Sequence, residues 1–197
     1  MNDEYTTVLH DLLILEEMAS KMEAYLDRDA VDWTIPRANM PKLTIGGYLM
    51  RQHRLKVLEG KLEAEDKARL WVALQTFDAS LVERVVRFET RAHQELHRRI
   101  GEWMGHMRDL GSRILSEVNY YAGVADTRVV ITSLMDQLQV RPFQLEDGIK
   151  QRVSALDKNL QARINDHPFI WDPVWQPAYS REKYWWLYSC PKRVTTA

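Results

Sequence analysis

The hydrophobic positions of this chain recur mostly every three or four residues, which is the spacing of one face of an α-helix. The clearest run follows spacings of 3, 4, 3, 4, 3 and 4 residues, and its members are Tyr5, Val8, Leu12, Leu15, Ala19, Met22 and Leu26. Such a heptad repeat predicts a helix that packs against other helices at a shallow angle. Because no segment sustains the strict alternation of a β-strand, the chain is predicted to be all-α.

Further periodic segments predict a helical bundle of five to six helices. After an apolar connector at residues 29–43, Thr44 is placed to cap a second helix, and a shorter helix covers residues 70–77. Asp126 is placed to cap another helix, and a last helix is predicted over residues 145–164.

The longest periodic stretch predicts one long central helix. It opens at Ser80 and Glu83, which have the spacing of a capping box, and keeps its rhythm to Tyr121, about 40 residues on. A helix of that length would measure roughly 60 Å at 1.5 Å per residue. We therefore expect it either to kink near Gly101 and Gly105 or to project and pair with another chain.

Residues 167–197 differ from the rest and predict an irregular, aromatic and proline-rich C-terminal tail after a helical bundle at residues 1–166. The tail holds four of the seven tryptophans, namely Trp171, Trp175, Trp185 and Trp186, and four of the seven prolines. Because an aromatic side chain buries about 150–250 Å², we expect the tail to pack on the bundle or on a partner. The four tryptophans are therefore candidate interaction residues.

Composition and charge limit the possible functions. A chain of 197 residues with net charge −1 and one cysteine predicts one domain, without an internal disulfide framework and without binding to nucleic acid by bulk charge. Residues 1–32 carry nine acidic and two basic side chains, so we expect the first helix to lie beside basic ones. An acidic start and the lack of an apolar run of about 18 residues predict a cytoplasmic protein without a membrane contact.

Most catalytic signatures are missing from the sequence, including the P-loop, the dinucleotide-binding glycine motif, the nucleophile elbow and the zinc-protease helix motif. None of the six histidines has a glutamate three residues before it, which argues against a ferritin-like di-iron site. The sequence therefore leans away from an enzyme.

One row of side chains suits a metal. Glu89, His93 and His97 follow each other at steps of four, which puts them along one helix face, and His53 could add a fourth ligand. Imidazole and carboxylate groups suit zinc, iron or manganese. The alternative is a hydrogen-bonded histidine and glutamate in or near the core, with His97 solvated, and in that case we expect no cofactor.

Two other features of the long helix need an explanation. Gly101 and Gly105 each cost about 1 kcal/mol relative to alanine in a helix, so we expect a close helix or tail crossing there, a kink, or a ligand on bare backbone. Four arginines, Arg84, Arg87, Arg91 and Arg98, share a face that could meet phosphates or pair with acidic neighbours. No aromatic side chains stand on that face to stack bases, so we do not expect nucleic acid as a partner.

Three functional hypotheses follow. The first is a non-catalytic helical interaction or assembly subunit, either an adaptor or a self-associating protein. The alternative is a metal-dependent helical-bundle enzyme or sensor that uses Glu89, His93 and His97. The third is a nucleic-acid-binding helical protein.

Overall fold

A computed structural model describes residues 3–110 and 118–192 and confirms the all-α class. The described residues form six α-helices: α1 (Asp3–Leu26), α2 (Ile45–Val57), α3 (Ala64–Leu81), α4 (Val85–Asp109), α5 (Val118–Leu138) and α6 (Ile149–Gln161). The predicted aromatic C-terminal region is also present, as short 3-10 helices and a small sheet rather than a long helix. Within the described part of the chain, no helix combines the length and the apolar character needed to cross a membrane.

Helix α1 follows its heptad pattern and packs on α2 and α3. Its apolar side buries Leu12, Leu15 and Met22 with no exposed surface. Its acidic side pairs with basic side chains of the neighbouring helices, as Glu16 does with Arg69 of α3 at 2.6 Å. The expectation of an acidic helix beside basic ones is therefore confirmed.

The single long helix predicted from Ser80 to Tyr121 is wrong. Ser80 lies inside α3 and donates its hydroxyl to the carbonyl of Phe77 at 2.6 Å, so it caps nothing. Helix α4 starts after a turn and ends at Asp109, where the ψ of 113° at Leu110 leaves the helical region. Helices α4 and α5 then pack against each other. The apolar spacing predicted one helix because α4 and α5 bury their apolar faces in the same core. Periodicity alone therefore does not locate the break between the two helices.

Two further helix boundaries differ from the prediction. Asp126 lies inside α5 rather than at its start. Helix α6 begins at Ile149, after Gly148 in the left-handed region with φ +84°, so Leu145 belongs to the preceding loop. Ile164 belongs instead to a strand, β1 (Ile164–Asp166), which pairs antiparallel with β2 (Ser189–Pro191).

Helix α2 lies in the middle of the bundle, in contact with α1, α4 and α5. Its predicted cap is confirmed, because the Thr44 hydroxyl accepts a hydrogen bond from the Gly47 N–H at 3.0 Å. The close packing has a local cause at Gly46, where an added Cβ would come within 2.5 Å of Cγ1 of Val130 on α5. Only glycine allows this approach.

The aromatic tail lies on the bundle. Its 3-10 helix at Pro173–Ala178 contacts α1 and α2, and its 3-10 helix at Trp185–Tyr188 contacts α5. Trp175 and Trp186 are buried, whereas Trp171 and Trp185 are partly buried. The guanidinium of Arg54 stacks 4.1 Å from the Trp175 ring centre, and the Trp171 indole donates to the Ala122 carbonyl at 2.8 Å. These tryptophans therefore make their contacts within the chain.

Candidate interaction surface and polar pocket

The predicted metal row lies along α4, where all three side chains face the segment 144–146 that precedes α6. The Glu89 carboxylate accepts from the Gln144 N–H at 2.7 Å, and His93 Nε2 accepts from the Glu146 N–H at 3.2 Å. His97 Nε2 lies 2.8 Å from the Glu146 carboxylate. The three side chains therefore hold a loop.

The same contacts define the state of the His93 ring. Its Nδ1 lies 3.0 Å from the Glu89 carbonyl, which only accepts, while its Nε2 faces an N–H group, which only donates. A ring that donates from Nδ1 and accepts at Nε2 satisfies both partners. The hydrogen bond from His97 also keeps the pKa of the Glu146 carboxyl below its usual range.

His53 does not join this row. Its Nε2 lies 2.7 Å from the Ala178 carbonyl in the tail, and its ring lies 5.8 Å from that of Tyr179. Among residues 3–110 and 118–192, no group of three or more histidine, cysteine, aspartate or glutamate side chains is arranged to hold a metal ion. Binding of a metal by Glu89, His93 and His97 stays a prediction.

The glycines of α4 have no close neighbour from another element among residues 3–110 and 118–192. The helix continues through Gly101 and Gly105, and a Cβ added at either position would meet none of these residues within 4 Å outside the helix's own backbone. Among the described residues, no helix and no tail segment crosses α4 closely at these glycines, so the expected close crossing is not found there, and the expected kink stays a prediction. Contact of these glycines with another molecule stays a prediction.

The arginine face of α4 is engaged by the end of α1 and the connector behind it. Arg84 donates to Glu23 at 2.7 Å and to Asp27 at 3.0 Å. Arg91 donates to the backbone carbonyls of Arg28 and Ala30, and Arg98 donates to Asp32 at 2.9 Å. In the structure, the arginine face of α4 therefore pairs with carboxylate and carbonyl groups of the same chain.

A different surface is conspicuous on α3, and we call it the α3 outer face. Its members are uncharged and span an arc of about 100°, at 3.6 residues per turn, and the exposed Glu65 and Asp78 lie just outside the arc on either side. The members are Ala68, Trp71, Val72, Gln75, Ala79 and Val82. Val72 and Val82 are 61% and 76% exposed.

The α3 outer face is uncovered because α3 is an edge helix. Helix α3 packs on α1, and its inward-facing Leu70, Leu74 and Phe77 are all buried. Charged side chains border the α3 outer face, with Glu65 and Arg69 on one side and Lys67 and Asp78 on the other. An uncharged stripe between charged borders is typical of a helix seam that meets another helix.

A polar cavity of about 330 Å³ lies near the start of α2, and we call it the α2 pocket. The connector, α2, α4 and α5 all contribute to its lining. Four lining side chains are basic and two are acidic: Lys42, Arg51, Arg98, Arg99, Asp32 and Asp126. The cavity is therefore lined by more positive than negative charge.

A buried carboxyl group lies behind this pocket. Glu95 has no exposed surface, and its Oε2 accepts from the Gly46 N–H at 2.9 Å. Its Oε1 has no hydrogen-bond partner in the part of the chain that the structure describes, and it lies 3.5 Å from Nε of Arg99. Burial raises the pKa of this carboxyl, against the opposing effects of the Gly46 N–H and Arg99.

A second buried charge cluster adjoins the α2 pocket through Arg51. Asp11 of α1 accepts two hydrogen bonds from Arg54, one of them 2.5 Å long, and its Oδ1 lies 3.1 Å from Nε of Arg51. One carboxylate thus serves two guanidinium groups. Sequence reasoning missed this site, although Asp11, Arg51 and Arg54 interrupt otherwise apolar helix faces, which is a usable signal for buried polar groups.

Glu95 and the α2 pocket were missed for a different reason, because their residues come from segments that are far apart in sequence. The pair Gly46–Gly47 just inside a capped helix was the available signal, since glycine is disfavoured there unless a neighbour approaches closely.

Comparison with known proteins finds no matching family model, no matching curated protein and no matching solved structure.

Proposed function

We propose that this chain is a helical interaction subunit that associates with a second copy of itself through the α3 outer face. The observation that carries the proposal is the exposed, uncharged stripe on α3, where Trp71, Val72 and Val82 are each more than half exposed. Burying apolar surface is the main driving force of association, at roughly 25 cal/mol per Å² removed from water. The members of the stripe are uncharged, although the Trp71 indole N–H donates to the Glu59 carboxylate at 3.0 Å, so association has to keep that carboxylate hydrated or paired.

A second copy suits the stripe because its pattern is self-complementary. If two α3 helices pack antiparallel about Gln75, Ala68 of one copy lies near Val82 of the other, so a small side chain meets a larger one. The same arrangement brings the Lys67 end of one helix to the Glu83 end of its partner, which pairs opposite charges. A two-fold dimer of this kind uses the same patch on both subunits.

Gln75 has a specific place in this arrangement, near the two-fold axis. An amide side chain both donates and accepts, so two Gln75 side chains can satisfy each other. Any other register would leave each amide facing apolar side chains and would cost the hydrogen bonds. A single polar residue in an apolar helix seam is known to select register in this way.

The test is the mass of the protein in solution, measured by sedimentation velocity over a range of concentrations. The chain mass is 23.2 kDa, and we expect the wild-type protein to approach twice that mass as concentration rises. Val72→Glu places a charge in the seam and should weaken association by at least about tenfold, because burying an uncompensated charge is costly.

Val140→Glu is the matched control. Val140 is 59% exposed, close to the 61% of Val72, but it lies after α5 and away from α3. The control should associate like the wild-type protein. A wild-type mass that stays at one chain at every concentration, or equal effects of the two substitutions, would contradict the proposal.

A further inference from the structure

We propose that the outer side of α6 docks on the phosphate backbone of double-stranded nucleic acid without reading its sequence. The exposed positions of this helix are called the α6 outer face. Its members are Lys150, Gln151, Arg152, Ser154, Ala155, Lys158, Asn159 and Gln161. The α6 outer face shares no residue with the α3 outer face or with the arginine face of α4, so the proposal stands independently of the proposed self-association.

The charge of the α6 outer face has one sign. Its three charged members, Lys150, Arg152 and Lys158, are all basic, and the face spans about 200° at 3.6 residues per turn. Arg163, which is exposed and follows the helix by two residues, adds a fourth cation. An incoming molecule therefore meets only positive and uncharged side chains on the outer side of α6.

The cations of this face have no carboxylate partner among the described residues. Lys150 and Lys158 make no hydrogen bond and no ion pair there. The Arg152 guanidinium donates to the Met104 thioether sulfur at 3.4 Å, which is a weak acceptor. The arginine face of α4, by contrast, is paired with carboxylate and carbonyl groups. On α6, the acceptor oxygens of a bound molecule therefore displace water and do not compete with groups of the protein.

Carboxylates are few in the surrounding segment. Residues 141–163 contain three of them against five cations. Glu146 faces His97, and Asp157 pairs with Arg128 at 2.7 Å, so two of the three are engaged by basic groups of other helices. The third is Asp147, which precedes the helix. The segment therefore keeps a positive surface although the whole chain has a net charge of −1.

Two of the cations lie where they do not stabilise their own helix. Lys150 and Arg152 are in the first turn of α6, which contains no acidic side chain. The N-terminal end of a helix carries a partial positive charge, so cations are unfavourable there, whereas Lys158 in the last turn is favourable. Helix stability therefore does not explain Lys150 and Arg152. An anionic partner does, because the helix end and both side chains attract it together.

The uncharged members of the face indicate which anionic partner fits. They are serine, alanine, asparagine and glutamine, without an aromatic or a large aliphatic side chain. Single-stranded nucleic acid is held by aromatic side chains that stack on its bases, and a membrane surface is bound by helices that bury large apolar side chains. The backbone of a duplex needs neither, since basic, hydroxyl and amide side chains bind its phosphate oxygens directly.

The length of α6 suits contact with several phosphates. Lys150 and Lys158 are eight residues apart, which is about 12 Å along the helix axis. A duplex carries one phosphate charge per about 1.7 Å of its length, so each cation of the face can lie near a different phosphate. Contacts of this kind hold the protein on the backbone and do not depend on base sequence.

The test is the salt dependence of duplex binding, measured with the full chain by fluorescence anisotropy. The probes are labelled DNA and RNA duplexes of random sequence, about 20 base pairs long, in about 20–150 mM sodium chloride. Each phosphate contact contributes about −0.9 to the slope of log K against log salt concentration, so three cations predict a slope of about −3. Binding of either duplex with that slope supports the proposal, and comparison of the two identifies the favoured duplex.

Lys150→Gln with Lys158→Gln is the decisive double variant, and Lys56→Gln with Lys61→Gln is its matched control. All four lysines are exposed, and each variant removes two positive charges. The α6 variant should bind duplex at least about tenfold more weakly at about 100 mM salt, with a slope near −1, because two phosphate contacts are lost. The control changes α2 and the 3-10 helix Glu59–Lys61 instead, and it should bind within about twofold of the wild-type protein.

Three results would overturn the proposal. They are no binding of either duplex at about 20 mM salt, equal weakening by the two double variants, and tighter binding to another polyanion than to duplex. The other polyanions are polyglutamate and vesicles of equal parts phosphatidylcholine and phosphatidylserine, and tighter binding to one of them would assign the face to an acidic protein segment or to a membrane.

A single substitution keeps the proposal testable if circular dichroism shows that the α6 double variant fails to fold. Ser154→Glu places a negative charge between the two lysines at an exposed position. It should also weaken duplex binding, because the new carboxylate repels the phosphates. Undiminished duplex binding by folded Ser154→Glu would contradict the assignment.

Discussion

Replacing Trp186 by alanine tests how firmly the aromatic tail packs on the bundle. The Trp186 side chain is 1% exposed, and its ring lies 5.5 Å from the ring of Tyr184 in an edge-on arrangement. The Arg128 guanidinium stacks 4.2 Å from the Trp186 ring centre. The substitution therefore removes a large buried side chain from the contact between the tail and α5.

The expected loss follows from what remains after the ring is gone. Replacing a buried phenylalanine or tryptophan by alanine costs about 3–5 kcal/mol of unfolding free energy. Arg128 keeps its two hydrogen bonds to Asp157, at 2.8 and 2.7 Å, so no buried charge is left without a partner. The Trp186 indole N–H has no hydrogen-bond partner among the described residues, so the substitution leaves none of their acceptors unsatisfied. We therefore expect a loss of about 3–5 kcal/mol, without a larger electrostatic penalty.

The assay is urea unfolding monitored by far-UV circular dichroism at a fixed protein concentration. Tyr120→Ala is the control. Tyr120 is also aromatic and lies on α5, the helix that Trp186 contacts, but its side chain is 45% exposed. The control should lose less than about 1 kcal/mol. A loss below 1 kcal/mol for Trp186→Ala, with an unchanged denaturant slope, would refute the packing of the tail described above.

Three further outcomes are expected. Gly101→Ala and Gly105→Ala should each raise the unfolding free energy by up to about 1 kcal/mol, because a Cβ there would clash with no described residue; a loss of stability in urea unfolding would contradict this. Since burial raises the pKa of Glu95, its stabilising effect is present at acid pH and is lost as pH rises through the raised pKa. The stability gained by Glu95→Gln, followed by thermal unfolding from pH 4 to 8, should therefore grow with pH; a constant or shrinking difference would contradict this. If the α4 row binds zinc, iron or manganese, a chelator should lower the melting temperature of the wild-type protein but not of His93→Ala, and elemental analysis without bound metal would exclude the site.

The bounds of a helix were predictable from the sequence where a run of regularly spaced apolar residues lies within that single helix. Helix α1 is such a case, since its heptad positions from Tyr5 to Leu26 all lie within the observed helix Asp3–Leu26. The cap at Thr44 was equally predictable, because the side chain acts on its own helix. Local signals of this kind depend on neighbours in the sequence, so a single sequence carries them.

The break between α4 and α5 was not predictable in the same way. Side chains as far apart as Trp103 of α4 and Tyr121 of α5 are both fully buried, so the apolar spacing continues through the end of one helix and into the next. Ser80 and Glu83 also have the spacing of a capping box, but the Ser80 hydroxyl donates to the Phe77 carbonyl within α3, the preceding helix. One long helix and two shorter helices are both compatible with the apolar spacing. Packing decides between them, and the spacing alone carries no information on packing.

The candidate sites also differ in whether a local sequence pattern predicts them or distant segments assemble them. The row Glu89, His93 and His97 was visible as a row, but its partner segment 144–146 lies about 50 residues away in sequence. The α2 pocket combines Lys42, Arg51, Arg98 and Asp126 from four parts of the chain, and no spacing rule connects them. The α3 outer face is a local pattern, yet its exposure is known only once α1 is seen to cover the opposite side.

The most direct test of the proposed self-association is disulfide cross-linking near the proposed two-fold axis. Cys190 is the only cysteine of the chain, so Gln75→Cys is introduced together with Cys190→Ser, and Val140→Cys with Cys190→Ser is the control. Antiparallel α3 helices that pack about residue 75 bring the two introduced thiols within reach of each other. Mild oxidation should then give a covalent dimer on non-reducing gels for Gln75→Cys and little or none for Val140→Cys. Equal cross-linking of the two variants, or none with Gln75→Cys at concentrations where the protein sediments as a dimer, would contradict the account.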